Sequence, residues 1–391
     1  MRTSFLPYCK PQLDEAEINS IATSFRNGWL TSGPNVKEFE REFAARCGVE
    51  HAVALNSCTA ALHVALAALG VGPGDEVITP SLTFVAGAQC TLELGATPVF
   101  ADIDPDTLSV TAETIEAAVT ERTKAIISMP YAGRPLGIAT LAGFARERGI
   151  ALIEDAAHAA GTLDRGEWAG TRSDAAAYSF YATKNLTTAE GGMLVTNDAS
   201  LAERARILGL HGMSKDAWKR YSAGGSWRYD VLSPGFKYNL ADPLAALGRT
   251  QLERLDRLQQ RRRELAARFC DAITSMRGVS LQAPPEHQDD VHSWCMFVVM
   301  IEEEKTGVER DRVIESMTEQ NIGTSVHYIP THLFSGYRSL QRSPLPETER
   351  VWRRLVSLPL FPAMTDEDAG DVLRALEIAI SPRVFATEQA V

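Results

Sequence analysis

The chain has 391 residues, of which 45% are hydrophobic and 23% are charged, and its formal net charge at pH 7 is -11. This composition is typical of a folded globular protein rather than a disordered or fibrous one. The negative charge argues against nucleic acids and anionic membranes as partners, because both attract basic surfaces.

The beginning of the chain and its cysteines indicate a protein of the cytoplasm. The opening stretch MRTSFLPYCKPQLDEAE has no long apolar run and soon becomes acidic, which excludes a secretory signal peptide. The most apolar segment, TAALHVALAALGVG, is shorter than the roughly 20 residues that a membrane helix needs. No two cysteines form a Cys-x-x-Cys pair, which argues against a zinc site and favours reduced thiols. We therefore expect a cytoplasmic protein without a metal centre.

Short apolar runs alternate with helical stretches from about residue 50 onward. The runs, in chain order, are HAVAL, DEVITP, TPVFADI, KAIISMP, ALIEDAA, AAAYSFYA and GGMLVT. They are continuously apolar, as is typical of strands that are covered on both faces. This order of strands and helices predicts an α/β domain built on a mostly parallel sheet.

The last third of the chain has a different pattern. A helical pattern runs from about Pro243 to about Ser275, and a strand WCMFVVMI, a helix from about Glu309, a strand GTSVHYIP and a helix at 347–355 follow. This order predicts a second, smaller α+β domain. We place the large domain at residues 1–245 and the small domain, which includes the long connecting helix, at residues 246–391.

In an open α/β sheet, ligands bind at the carboxyl ends of the strands. The residues that follow the run HAVAL include Ser57 and Thr59, which stand at the start of a helical stretch. The unpaired N–H groups of a helix N-terminus bind phosphate well. Ordinary capping by a serine or threonine, which needs no ligand, is the alternative interpretation.

Two further strand ends carry ionisable residues. Glu154 and Asp155 end one run, and because neighbours on a strand point to opposite faces, only one of them can enter a site. His158 follows, and Lys184 stands between the last two runs with Ser179 before it. A lysine in that place becomes a nucleophile where burial or a nearby cation favours its neutral form. The alternatives are acids that merely end a strand, a structural histidine and a solvent-exposed lysine.

The combination of these residues meets the needs of pyridoxal 5'-phosphate (PLP). Its phosphate needs N–H and hydroxyl donors, its ring nitrogen needs a carboxylate, and its aldehyde needs a lysine for a Schiff base. The helix start at Thr59, the carboxylate of Asp155 and the amine of Lys184 match these needs. Phe84, in the stretch TPSLTFVAGA, is available to stack on the ring. The sequence therefore predicts a PLP-dependent enzyme.

The motifs together resemble one family, the DegT/DnrJ/EryC1/StrS sugar aminotransferases. This resemblance covers nearly the whole chain and implies the PLP-dependent transferase fold of type I, which is also the fold of aspartate aminotransferase. The motifs that carry it are GWLTSGPNVKEFE, NSCTAALHVAL, GPGDEVITPSLTFVA, GATPVFADID, IEDAAHAAGT, SFYATKNLTTAEGGM, GFKYNLADPLAALGRTQLERLD and HYIPTH.

The resemblance also implies a role for each matching position. Lys184 would be the Schiff-base lysine and Asp155 the partner of the pyridine nitrogen. Phe84 would stack on the ring, and His158, where many relatives have glutamine, would lie near the ring hydroxyl. The resemblance implies a homodimer with shared active sites, in which the phosphate is held by Cys58 through its backbone, Thr59, Ser179 and Asn239 of the neighbouring subunit.

The implied activity is transfer of the amino group of L-glutamate to a nucleotide-linked keto sugar. The motifs KNLTTAEGG, HGMSKDAW and GFKYNLAD are most similar to the branch that aminates C4, of which the UDP-4-amino-4-deoxy-L-arabinose synthase type is an example. An aminotransferase for C3-keto sugars or keto-cyclitols, a PLP sugar dehydratase and a non-catalytic PLP-binding regulator are the alternatives. Lys184 argues against the dehydratase, because the dehydratases of this family have histidine there.

Several further residues are candidates for contacts with the sugar or its nucleotide. Basic residues of the glycine- and aromatic-rich stretch 211–230 would meet the diphosphate, with a surface loop as the alternative. His327 and Tyr328 would line the sugar pocket, with packing against the large domain as the alternative. The predicted substrate-binding residues are Thr31, Lys219, Arg220, Arg228, His327 and Tyr328.

Overall fold

The computed structural model describes residues 2–214 and 229–381, and within these ranges the chain forms twelve α-helices and twelve β-strands. The helices are α1 (Glu15–Arg26), α2 (Pro34–Cys47), α3 (Cys58–Ala68), α4 (Ala86–Glu93), α5 (Ala112–Glu116), α6 (Ile138–Glu147), α7 (Ala199–Gly209), α8 (Asp242–Thr274), α9 (Glu303–Thr306), α10 (Arg310–Glu319), α11 (Pro346–Trp352) and α12 (Asp366–Ala379). The strands are β1 (His51–Leu55), β2 (Glu76–Pro80), β3 (Thr97–Ala101), β4 (Thr123–Ser128), β5 (Ala151–Asp155), β6 (Leu163–Asp164), β7 (Glu167–Trp168), β8 (Ala175–Ser179), β9 (Gly192–Thr196), β10 (Val279–Leu281), β11 (Phe297–Ile301) and β12 (Leu355–Leu358).

A seven-stranded sheet forms the centre of the predicted large domain, in the order β1-β9-β8-β5-β4-β2-β3. Strands β8, β5, β4, β2 and β3 are parallel, and β9 is antiparallel to both of its neighbours. Each of the seven apolar runs forms one of these strands, which confirms the predicted mostly parallel α/β sheet. Because β1 pairs antiparallel with β9, it points the same way as β5 and β8, and the carboxyl ends of these three strands lie at one edge.

Apolar helices cover both faces of this sheet. On one face, α3, α4 and α7 pack against the strands around a core that includes Leu62 and Leu66, both fully buried. On the other face, α2 and the first part of α8 pack around Phe39 and Phe43. Strands that are buried on both sides have little need of polar residues, which explains their continuous apolar sequence.

The predicted small domain contains a three-stranded antiparallel sheet, β10-β11-β12, packed against α10, α12 and the second part of α8. Helix α8 is 33 residues long and joins the two cores: Leu255 is buried in the large-domain core and Phe269 in the small-domain core. Among the described residues, we find no helix with the length and apolar character that crossing a membrane requires.

Two predictions for the small domain were wrong in detail. The stretch GTSVHYIP is an extended loop rather than a strand, with a single bridge between Ser325 and Ser357. The predicted helix at 347–355 ends at Trp352, and its last residue begins strand β12. The loop at 323–330 lies at the edge of β12 that does not pair with β11, and farther along it the carbonyl of His327 accepts a hydrogen bond from the Tyr131 hydroxyl.

Candidate active site

A cavity of about 450 Å³ lies at the edge of the sheet where β1, β5 and β8 end. Residues that follow these strands line it on the large-domain side. Residues 295–296 and 327–328 of the small domain and residues 8–9 near the start of the chain complete its wall. The cavity therefore combines segments that are far apart in sequence, and it is where strand-end residues of this fold are expected to bind a ligand.

The start of α3 forms one wall of the cavity. Ser57 caps the helix, since its Oγ accepts a hydrogen bond of 3.0 Å from the backbone N–H of Ala60. Cys58 and Thr59 are the first helical residues, and both line the cavity together with Ser179 at the end of β8. The N–H groups of this helix start and the two hydroxyls form a donor set suited to a phosphate. Capping by Ser57 and binding of an anion are thus compatible.

Asp155 lies in the cavity at the end of β5 and is 5% exposed. Its Oδ1 accepts a hydrogen bond of 3.2 Å from the N–H of Ala157, and the thiol of Cys58 lies 3.7 Å away. Burial raises the pKa of Asp155, and this rise is partly offset by the Ala157 N–H, the charge of Lys184 and the Cys58 thiol. A buried carboxyl in this position is suited to bind a protonated ring nitrogen, whose charge would favour the carboxylate.

Glu154 points to the other side of β5, as the alternation along a strand predicts. It is buried away from the cavity and accepts a hydrogen bond of 2.9 Å from the N–H of Gly170. Burial raises its pKa to about 7, against the effect of hydrogen bonds from Ser173 and Gly170. Of the two neighbouring acids, only Asp155 lines the cavity.

Lys184 lies in the turn after β8 and is half-buried in the cavity wall. Its backbone N–H donates to the carbonyl of Tyr181 at 2.9 Å, which holds the turn. Within the described residues, Nζ makes no hydrogen bond or ion pair, so the amine is available to a ligand. Its charge contributes, after burial, to the low pKa of His158 and to the pKa of about 4 of His327.

His158, Tyr328 and Phe84 form the opposite part of the wall. His158 Nε2 lies 2.9 Å from the Tyr328 hydroxyl, and the two rings are parallel within 7° at a centroid distance of 6.0 Å. The ring of Phe84 is 56% exposed and lies 6.2 Å from the ring of Tyr328. Phe84 therefore presents an open aromatic face to the cavity, as stacking on a planar ligand requires.

Asn239 and Thr31 do not line the cavity that contains Lys184 of the same chain. The side-chain amide of Asn239 donates to Thr31 Oγ1 at 3.3 Å and to Ser32 Oγ at 2.9 Å, and it also pairs with Lys237. The structure thus brings these two predicted residues together at a separate place, beside the end of β1. The predicted residues Lys219, Arg220 and Arg228 lie outside the described residues.

The sequence analysis missed several residues that line the cavity. Tyr8 and Cys9 come from the start of the chain, where no local pattern indicates a site; the ring of Tyr8 lies 5.1 Å from that of His327. Cys295 stands before a small-domain strand and gives no signal either. Glu190, in the stretch AEGG, also lines the cavity, and its place in the same short segment as Lys184 was a signal in the sequence.

Comparison with known proteins gives consistent results. The DegT/DnrJ/EryC1/StrS aminotransferase family matches residues 11–377. The chain is 47% identical over 379 residues to the spore coat polysaccharide biosynthesis protein SpsC of Bacillus subtilis (strain 168), covering 96% of this chain and 97% of SpsC.

Solved structures with a similar fold include a putative sugar aminotransferase and a protein solved with a sugar product. The PLP form of the putative sugar aminotransferase Spr1654 from Streptococcus pneumoniae has a TM-score of 0.88 and 30% identity, covering 96% of this chain and 98% of that one. The structure of DesI in the presence of its TDP-sugar product has a TM-score of 0.87 and 34% identity, covering 97% of this chain and 94% of that one. These matches confirm the fold class that the sequence predicted.

Proposed function

This chain is a sugar aminotransferase of the DegT/DnrJ/EryC1/StrS family, and we propose that it depends on PLP. In this proposal it transfers the amino group of L-glutamate to the C4 keto group of a nucleotide-linked sugar. The observation that carries this proposal is the meeting of Lys184, Asp155 and the start of α3 in one cavity. No two of these three elements are neighbours in sequence, so only a folded site brings them together.

The residues of the cavity fit the cofactor group by group. The N–H groups at the start of α3 and the hydroxyls of Thr59 and Ser179 would hold its phosphate. Asp155 would pair with the ring nitrogen, Phe84 would cover one ring face, and Lys184 would bind the aldehyde carbon. When bound there, PLP supplies an aldehyde carbon that accepts the amino group and a ring that delocalises the negative charge that develops on the substrate carbon.

The chain's own residues account for the proton transfers. Lys184 Nζ would remove the α-proton of glutamate, since its amine has no competing partner among the described residues. In the second half of the reaction, the same amine would deliver a proton to the sugar carbon that receives the amino group. Asp155 would keep the ring nitrogen charged from its buried position, where a carboxylate interacts with a cation more strongly than it does in water.

The sugar substrate is supported by relatives and motifs together. DesI was solved in the presence of its TDP-sugar product. The diphosphate of a nucleotide-linked sugar is negatively charged, and the basic side chains of Lys219, Arg220 and Arg228 would bind it. The motif KNLTTAEGG supports the branch that acts at C4, with the UDP-4-amino-4-deoxy-L-arabinose synthase type as the nearest pattern. His327 and Tyr328 line the cavity and would face the sugar.

We further propose a cytoplasmic homodimer with shared sites. Asn239 and Thr31 lie together away from the cavity of their own chain. In a dimer, Asn239 would reach the cofactor phosphate of the neighbouring subunit and Thr31 would reach its substrate. Both residues would then have a binding role that they do not have in the cavity of their own chain.

Two measurements test the proposed function. Reduction of the purified protein with borohydride should leave a pyridoxyl group on the peptide that contains Lys184. In a separate, unreduced sample, glutamate should remove the absorbance of the lysine-bound cofactor, and a 4-keto nucleotide sugar from a panel of 3- and 4-keto UDP- and dTDP-sugars should restore it. A protein without the pyridoxyl group, or one that responds to no keto sugar, would contradict the proposal; a response to 3-keto sugars alone would move the reaction to C3.

A further inference from the structure

The contact between His158 and Tyr328 joins the two domains inside the cavity. The hydroxyl of Tyr328 lies 2.9 Å from His158 Nε2, and the planes of the two rings are within 7° of parallel. The loop that carries Tyr328 is itself anchored, because the Tyr131 hydroxyl donates to the carbonyl of His327 and His327 Nδ1 lies 2.8 Å from Ser357 Oγ. The direction of this hydroxyl is therefore determined by the fold.

The protonation state of His158 decides which of the two side chains donates. Burial, together with the charges of Lys184 and His327, keeps the pKa of His158 well below its usual range, so the imidazole is neutral and has one N–H. Nδ1 is buried without a hydrogen-bond partner among the described residues. A buried N–H without an acceptor is rarer in proteins than an unpaired acceptor. The proton therefore belongs on Nε2, which donates to the oxygen of Tyr328.

This arrangement leaves the proton of the Tyr328 hydroxyl without an acceptor in the described chain. A hydroxyl can accept one hydrogen bond and donate another. Burial raises the pKa of Tyr328 well above its usual range, so the hydroxyl keeps its proton. Since Tyr328 lines the cavity beside Phe84, a ligand in the cavity is the partner that this proton can reach.

We propose that His158 is a positioning residue that turns the Tyr328 hydroxyl proton into the cavity, where it donates a hydrogen bond to the carbonyl oxygen of the keto substrate. This inference rests on the proposed function. When the keto sugar becomes an amine, its carbonyl oxygen leaves as water, and when glutamate becomes a keto acid, water supplies the new carbonyl oxygen. One hydrogen-bond donor at the reacting oxygen therefore serves both halves of the reaction, and such donors act strongly in a site with little water.

Kinetics of four variants test the proposal in the holoenzyme. Tyr328→Phe should lower kcat about 100-fold, with cofactor affinity and the KM for glutamate within about threefold of wild type. His158→Gln should keep kcat within about tenfold of wild type, because its amide N–H can still donate to Tyr328, whereas His158→Leu should fall as far as Tyr328→Phe. Tyr337→Phe removes a hydroxyl that bonds Gln89 away from the cavity and serves as the matched control. Unchanged kcat in Tyr328→Phe, or equal kcat in the two His158 variants, would overturn the proposal.

Nuclear magnetic resonance of the protein labelled with ¹⁵N-histidine tests the proton position without any substrate. His158 can be assigned by the loss of its signals in His158→Gln. We expect the neutral imidazole with its proton on Nε2, and a shift of that N–H in Tyr328→Phe, which lacks the acceptor. A proton on Nδ1 would overturn the positioning role. Failure of wild-type enzyme to take an amine from glutamate would instead contradict the proposed function, so the two failures are distinguishable.

Discussion

Gly192, the first residue of β9, lies directly against the carbonyl group of Ser57. A Cβ at position 192 would be 2.3 Å from both the carbonyl carbon and oxygen of Ser57 and 2.6 Å from the N of Cys58. No side chain fits there, since all three atoms belong to the backbone. The glycine allows β9 to pass beside the start of α3, and the N–H groups of this helix start therefore depend on it for their position.

Gly192→Ala should displace the start of α3 and weaken cofactor binding by about tenfold or more, because overpacking a dense region shifts the backbone. The measurement is an absorbance titration of the apoprotein with PLP. Gly143→Ala is the matched control: position 143 lies in α6 with nothing within 4 Å of the added Cβ, and alanine there should leave binding unchanged and slightly raise stability. Equal cofactor affinity in the two variants would show that the close contact is unimportant.

Lys184→Ala should abolish turnover and covalent attachment of the cofactor, with little change in the folded state, because Nζ makes no hydrogen bond or ion pair within the described residues. The measurements are the mass of the peptide that contains position 184 after reduction with borohydride, which shows whether a pyridoxyl group is attached, and the rate of amine transfer from glutamate. Lys124→Ala removes an exposed lysine at the start of β4 and should behave as wild type. Measurable turnover in Lys184→Ala above that of free PLP would exclude the proposed role.

Asp155→Asn and Glu154→Gln compare two neighbouring acids on opposite faces of β5. Asp155→Asn should lower kcat at least about 100-fold, because the charge that would balance the ring nitrogen is lost. Glu154→Gln should keep activity within about twofold, since the pKa of Glu154 is already about 7 and glutamine can still accept from the Gly170 N–H. Steady-state kinetics and melting temperatures of both variants give the comparison, and similar losses in the two would argue against a site on only one face.

Chains with different defects should complement each other if the sites are shared. In a mixed dimer of Lys184→Ala and Asn239→Asp chains, the site that contains an intact Lys184 would receive an intact Asn239 from the other chain. Equal mixing after gentle denaturation should recover about a quarter of the wild-type activity, because about half of the dimers are mixed and one of the two sites in each is intact. Each variant refolded alone is the control. Recovery no greater than that of the separate variants would place Asn239 in the site of its own chain.

Glu76 should make the fold sensitive to acid. Burial opposes its ionisation, but hydrogen bonds from Arg342, Thr120 and Arg122 outweigh this effect and lower its pKa to about 2. A lowered pKa in the folded state means that the carboxylate stabilises the protein above its unfolded pKa of 4.5 and loses this contribution as the pH falls toward 2. Glu76→Gln should thus lower the free energy of unfolding by about 2 kcal/mol at neutral pH.

Denaturant unfolding as a function of pH measures this effect. The difference between wild type and Glu76→Gln should shrink as the pH falls from 4.5 toward 2, because wild type then becomes protonated as well. Glu367→Gln, at an exposed position near the start of α12, is a control without an ion pair in the described structure. A difference that stays constant over this range would show that the ionised form of Glu76 is not what stabilises the fold.

Local sequence pattern was sufficient for the sheet and for part of the site. The seven apolar runs became the seven strands, because strands that are buried on both faces must be apolar along their whole length. Asp155 and Ser179 could be expected at one edge, since parallel strands end on the same side. The small domain was harder to predict: the stretch GTSVHYIP has the composition of a strand, but its pairing is limited to one bridge, between Ser325 and Ser357 of β12.

By itself, the sequence determined which segments are buried, which residues stand at the ends of strands, and the family to which the chain belongs. Those properties depend on side-chain character and spacing within short stretches, which can be read directly. The three-dimensional structure was needed to show that Tyr8 and Cys9 line the cavity and that Tyr328 bonds His158, 170 positions away in the chain. Contacts of this kind arise from the packing of whole elements against each other, and no local pattern specifies them.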